Sequence, residues 1–268
     1  MSRGSKRRER SHPRALPILI SAVLFLSGCG MLLYPTLSNW LSNRHQSELY
    51  VAYQDQVDEL DDGDAEAELE RARNYNDQLA DQVKLVSDPF RDGNADTTEY
   101  DSLLNVTPAG VMGYVEIPSI GVFLPIYHGV SNDILMKGVG HLPETSMPVG
   151  GPSTHAVLAG HSGMSGARLF TDLPKLKAGA VFYIHVYDRE LTYTVDQVQK
   201  VAPTDTSELQ IVDGEDYVTL VTCVPVGVNS HRLLVRGNVP RENTPEQDVT
   251  SAQGHAPLFL YTFQLFFC

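Results

Sequence analysis

The sequence predicts a mainly β domain, closed as a barrel or packed as a sandwich, held behind N-terminal helices. Three observations predict it. A series of short β-rich segments, punctuated by Gly and Pro, fills residues 106–240. An uncharged apolar run of about 20 residues lies far upstream, long enough to span a hydrocarbon core as a helix. The stretch between them carries good helix formers with apolar residues at loose helical spacing.

Residues 1–14 form a basic tail, with Arg3, Lys6, Arg7, Arg8, Arg10 and Arg14 opposed only by Glu9. By the positive-inside rule this tail stays in the cytoplasm and the rest of the chain lies outside it. Residues 15–35 read as a transmembrane anchor, ending at Pro35. Two other readings share this start. One is a cleaved signal peptide. The other is a surface lipoprotein, because Leu26-Ser27-Gly28-Cys29 spells a lipobox with Cys29 as the lipidated residue. The apolar run continues through Met31, Leu32 and Leu33, which neither reading needs, so an uncleaved anchor is favoured.

Residues 36–105 form a helical extension and a loop. Leu49, Val51, Tyr53, Val57 and Leu60 give one apolar face, Asp61 to Asp64 break the helix, and Ala65 to Leu85 resume it. From Val86 to Asn105 the chain is rich in Asp, Gly, Asn and Thr, and a loop of this length suggests a lid, a binding segment or a disordered linker. Strands are predicted at Val111–Ile117, Val122–Tyr127, His155–Ala159, Val181–Val186, Leu191–Val198, Tyr217–Thr222 and Leu233–Val235. Short helices fit at Ser131–Val139 and Ala167–Leu173. Residues 241–268 are a C-terminal tail whose apolar end, Leu258–Cys268, has about half the length of a span and reads as a truncated membrane segment or an interfacial tail.

Composition excludes some functions. The net charge is −13, and the basic tail leaves the body more acidic still, which argues against nucleic acid as a partner. The three cysteines are Cys29, Cys223 and Cys268. Only Cys223 falls in a predicted folded element, so no disulfide framework is expected and a reactive role for this thiol stays open. No His/Cys/Asp cluster has metal-ligand spacing, and no metal or cofactor is expected.

The chemistry-bearing residues sit at strand ends. Cys223 closes Thr219-Leu220-Val221-Thr222-Cys223, and Val224-Pro225 stops the strand. Arg232 opens the next strand after a short loop. His161 follows Val157-Leu158-Ala159 in the turn Gly160-His161-Ser162-Gly163. A thiol needs a lowered pKa or a base to act as a nucleophile. An imidazole can protonate a departing amine, and a guanidinium is a permanent donor to an oxyanion. Each residue alone is weak evidence, since a lone strand-end cysteine is more often an inert buried thiol. Their combination carries the reading.

Thr219 to Cys223 resembles the T-L-x-T-C signature of sortases, Gly160-His161 resembles their histidine element, and Arg232 their arginine. Ile117-Pro118-Ser119-Ile120 and Leu124-Pro125-Ile126-Tyr127 are similar to the strands that open their barrel. The resemblance covers about Val111 to Val239. It implies a closed eight-stranded β-barrel and a cysteine transpeptidase that cleaves an LPxTG-like sorting signal between Thr and Gly. Asp88-Pro89-Phe90 is similar to the lid motif of the pilus-assembling class C. That implies pilin subunits as partners, with a pilin lysine as the resolving amine, at a membrane. This chain departs from the class in its short C-terminal apolar segment. Leu142-Pro143-Glu144-Thr145-Ser146 imitates a sorting signal but lies inside the predicted barrel, and is read as coincidence. A serine hydrolase using Ser162 is the enzymatic rival, because residues 157–163 resemble a G-x-S-x-G elbow; Met164 stands where the last glycine belongs.

Overall fold

The computed structural model describes residues 15–81, 86–90, 98–107, 110–164 and 167–239. The basic tail, the middle of the predicted lid loop and the C-terminal tail lie outside them. Helix α1 (Ala15–Asp58) is continuous, where the sequence suggested an apolar segment ending at Pro35 and a separate helix after it. One proline removes one intrahelical hydrogen bond, and the turns on either side hold the helix through it. The segment Pro17–Tyr34 is long and apolar enough to cross a bilayer. Helix α2 (Asp62–Ala80) starts where the acidic break predicts, with Asp61 as its N-cap accepting a hydrogen bond from Gly63 N.

Both helices dock on the barrel, α1 through aromatic side chains and α2 through an amide. Tyr50 and Tyr53 meet Tyr114 edge-on, at ring separations of 5.2 and 5.4 Å. Tyr53 Oη donates to Met112 O and accepts from Tyr187 N. On α2, Asn76 exchanges two hydrogen bonds with the Met147 main chain. The helical extension is thus fixed to the wall of the domain.

The strands are β1 (Val111–Ile117), β2 (Val122–His128), β3 (Val139–His141), β4 (Thr154–Ala159), β5 (Val181–Val186), β6 (Arg189–Val201), β7 (Asp216–Val224) and β8 (His231–Asn238). They close as a barrel in the order β1-β2-β3-β4-β7-β8-β6-β5. Strand β3 was not legible, because its three residues, Val139-Gly140-His141, are too few to show an alternation. The helix expected over Ser131–Val139 shrinks to one turn, α3 (Asn132–Leu135). The one expected over Ala167–Leu173 is absent: Leu169 has φ +33°, outside the helical region, and Phe170 N is bound to His161 O.

Two of the pairings decide where the site forms. Strands β4 and β7 are parallel neighbours, Ala159 opposite Val221, so both end at the same rim. Strands β7 and β8 are antiparallel, with Cys223 opposite Arg232. Alternation then sorts the side chains. Along β7, Val218 and Leu220 fill the barrel core. Val221, on the other face with Cys223, joins Val157, Leu234 and Val201 in a second apolar cluster outside it.

Candidate active site

Continuing the β4–β7 register by two residues brings His161 level with Cys223. Hydrogen bonds hold that extension: Gly160 N donates to Val221 O at 3.0 Å, and Thr222 Oγ1 donates to Gly160 O at 2.7 Å. On the far side of β7, Arg232 faces Cys223 across the ladder, where directly opposed Cβ atoms lie about 4.5–5.5 Å apart. Imidazole, thiol and guanidinium therefore come from three adjacent strands, in one row at one rim. The other motif threonine, Thr219, donates to Nε2 of the buried His155, whose Nδ1 donates to Gln210 O.

The predicted lid lies on this row. Asp88 is 5% exposed and makes two hydrogen bonds to Arg232, Nε to Oδ1 at 2.8 Å and Nη2 to Oδ2 at 2.7 Å. Pro89 is buried. The Phe90 ring lies against two members of the row, with its centroid 5.9 Å from that of His161 and 5.0 Å from the Arg232 guanidinium carbon. Val86 and Phe90 also cover the outer apolar cluster of Val157, Val201, Val221 and Leu234.

The electrostatics favour the uncharged forms of both the thiol and the imidazole. Burial pushes the Cys223 thiol above its ordinary pKa; Arg232 pulls it down, and Asp88 pushes it up again. Sequence reasoning expected the nearby cation to lower this pKa. In the closed site desolvation outweighs that pull, and the lid carboxylate offsets the cation. Burial lowers the His161 pKa, favouring the neutral ring. Thiol and imidazole are thus both uncharged near neutral pH.

Two features had no sequence signal. Glu144, inside the segment that imitates a sorting signal, accepts hydrogen bonds from Ser87 N and Ser87 Oγ at 2.7 and 2.6 Å and so fixes the root of the lid. The other is the hydroxyl of Ser162, which donates to the Cys223 carbonyl at 2.6 Å. A third, the apolar floor beside the thiol, could have been found by stepping back two residues from Cys223 to Val221. Cys29 lies within the continuous helix α1. Among the described residues no group of His, Cys, Asp or Glu is arranged to hold a metal ion.

A closed eight-stranded barrel with a cysteine, histidine and arginine aligned at its rim defines a thiol-bearing barrel of the sortase type. Residues 115–239 match the family model of the sortase domain. Sortase C-1 from Actinomyces oris is 46% identical, aligns over 66% of this chain and 99% of its own, and superposes with a TM-score of 0.62. Sortase C from Streptococcus pneumoniae is 42% identical over 72% of this chain and 97% of its own, with a TM-score of 0.66. Sortase A of Bacillus anthracis is 35% identical over 129 residues, and the match spans 60% of that relative's length. The chain belongs to the sortase family, and the solved structures it resembles are sortases C.

Proposed function

We propose that this protein is a membrane-anchored cysteine transpeptidase that joins an LPxTG-like sorting signal to a lysine amine of a pilin subunit. The observation that carries this reading is the row His161–Cys223–Arg232 across β4, β7 and β8, covered by Asp88-Pro89-Phe90. The likeness to sortases C supports the pilin assignment; the Streptococcus pneumoniae structure is described in connection with pilin substrate specificity.

Cys223 passes its thiol proton to the neutral His161, and Sγ attacks the threonine carbonyl of the signal. Arg232 donates to the oxyanion that develops. The carbon–nitrogen bond to glycine then breaks, and His161 supplies the proton to the departing amine. A thioester remains on Cys223. The incoming lysine amine attacks it, His161 takes up a proton, and the thiolate leaves as the new amide forms. The outer cluster of Val157, Val221 and Leu234 offers the apolar side chains of the signal a floor once Val86 and Phe90 have moved.

The lid holds the enzyme idle. While Asp88 holds the Nε–Nη2 edge of the guanidinium, that edge is closed to an oxyanion, and Phe90 lies against both the imidazole and the cation. Opening removes the Asp88 charge and leaves Arg232 to lower the thiol pKa, which is the activated form. The helix Pro17–Tyr34 anchors the chain with its barrel outside the cytoplasm.

The test is to incubate the protein with an LPxTG peptide and map the covalent adduct by mass spectrometry. An acyl group ending in threonine on Cys223 is expected. Cleavage with the acyl group on another residue, or no adduct even in an Asp88→Ala variant, overturns the reading.

A further inference from the structure

Ser162 enters as a rival nucleophile, and its surroundings give the hydroxyl a different task. We propose that Ser162 is a positioning residue that sets the imidazole of His161 against the thiol of Cys223 and takes no covalent part in the reaction. This rests on the transpeptidase reading above.

Its Oγ donates to the carbonyl of Cys223 itself, at 2.6 Å. A carbonyl oxygen is no general base, so this contact does not activate the hydroxyl as a nucleophile. The bond is the last of three that alternate between the ends of β4 and β7. Gly160 N is bound to Val221 O, Thr222 Oγ1 to Gly160 O, and Ser162 Oγ to Cys223 O. His161 stands between the second and the third. Regular pairing has stopped at Ala159 opposite Val221, so no ladder holds the ring in place there.

Beyond Ser162 the chain turns away. Gly163 has φ +71°, and a Cβ at that position would collide with the Val226 side chain. The other hydrogen bonds on this segment lead elsewhere: Phe170 N to His161 O, and Gly163 N to Thr171 Oγ1. Both fix the turn to residues 170–171, a piece with no strand pairing of its own. Without the Ser162 hydroxyl, the far side of His161 keeps hydrogen bonds only to that turn, and its alignment with β7 loosens. Thr222 holds the near side, so the fold tolerates the loss and the chemistry does not.

Misplacing a reacting group by about 1 Å costs on the order of a hundredfold in rate, and a loosened group costs less. For the full chain, and again in an Asp88→Ala background, Ser162→Ala is expected to lower kcat by about tenfold with KM changed less than about twofold. Ser162→Thr restores the hydroxyl and returns kcat to within about threefold of the parent. Neither variant moves the limbs of the pH–rate profile, since no titrating group is lost, and a serine-directed phosphonate leaves Ser162 unlabelled. The thioester on Cys223 still forms in Ser162→Ala, which separates this outcome from failure of the transpeptidase reading. An unchanged kcat in Ser162→Ala overturns the proposal. So does a threonine variant as slow as the alanine one, or a phosphonate adduct on Ser162 that abolishes turnover.

Discussion

Arg232 and Arg236 stand four residues apart on one strand and make nearly the same contacts. Each binds a carboxylate through Nε and Nη2, Arg232 with Asp88 and Arg236 with Asp196. Each also lies over an aromatic ring, Phe90 at 5.0 Å and Tyr217 at 4.3 Å. The difference is where the partners come from. Asp196 and Tyr217 belong to β6 and β7, the strands that flank β8 in the barrel. Asp88 and Phe90 arrive from a segment 144 residues upstream that has no strand of its own. The Arg236 pair holds the wall together. The Arg232 pair ties the proposed lid to the row of candidate catalytic residues, and it is the more buried, with side chains 11% and 3% exposed against 21% and 25%.

The comparison is broken most directly by removing the arginines in turn. Arg232→Ala is expected to lower kcat by about a hundredfold or more, as loss of an oxyanion donor does. Arg236→Ala leaves kcat within about threefold and shows its effect in thermal stability, because an exposed pair is worth about 1 kcal/mol or less. Steady-state kinetics on a sorting-signal peptide decides it. A reversed order of effects assigns the oxyanion role to the wrong arginine.

Next in size is the release of the lid. Asp88→Ala removes a charge that raises the thiol pKa and frees the cation that lowers it, so the thiolate forms at lower pH. Iodoacetamide alkylation of Cys223 is expected to quicken by about tenfold at neutral pH, its midpoint displaced toward acid. Phe90→Ala uncovers the cleft without changing charge, so it quickens alkylation with a smaller displacement of the midpoint. If both variants alkylate at the parental rate across pH 6 to 9, the lid does not gate the thiol.

What the sequence made legible follows the same division between wall and cover. Strands β1 and β5 were bounded correctly: Gly110 and Pro118 flank the apolar run of the first, and Gly179 and the Tyr187-Asp188 turn bracket the second. The rim row was legible because Cys223, His161 and Arg232 each lie next to a strand terminus that the sequence marks. The row could not be ordered from sequence, since that takes the parallel pairing of β4 with β7, set by a crossover through β5 and β6. Leu169 illustrates another limit: a leucine at φ +33° has no sequence signature, and it turns an apparent helix into a bend. Glu144 and Ser87 lie 57 residues apart in unpatterned loops, and only the folded chain makes them a pair.

That pair gives a smaller effect. Glu144→Ala leaves Asp88 and Phe90 untouched and removes two hydrogen bonds at the lid root, worth about 1.5–3 kcal/mol each when one partner is charged and less when exposed. Alkylation of Cys223 is expected to rise by only about two- to fivefold, since the Arg232 contact still closes the lid. Combined with Asp88→Ala, the added change is smaller than in the parent, because an opened lid has no root contact left to lose. Full additivity in the double variant means that Glu144 acts on something other than lid closure.

Acid sensitivity separates the barrel's buried histidines from the one at its rim. Burial holds His141 at about 3 and His155 at about 4, against an ordinary value of 6.5. The unfolded chain therefore binds protons between pH 6.5 and 4 that the folded protein refuses. Their contribution to stability is complete above 6.5 and is lost as pH falls through that window, by about 1.4 kcal/mol per unit for each histidine. Asp216, whose pKa burial raises, works in the opposite sense and offsets part of the loss. His161 is only partly buried and its lowering is smaller, so His161→Gln should leave the slope of melting temperature against pH nearly unchanged. His155→Gln should flatten it: the neutral ring donates from Nδ1 to Gln210 O and accepts from Thr219 at Nε2, an arrangement that a second ring proton breaks. Equal slopes in the parent and His155→Gln between pH 6.5 and 4.5 would place the acid sensitivity in the carboxylates instead.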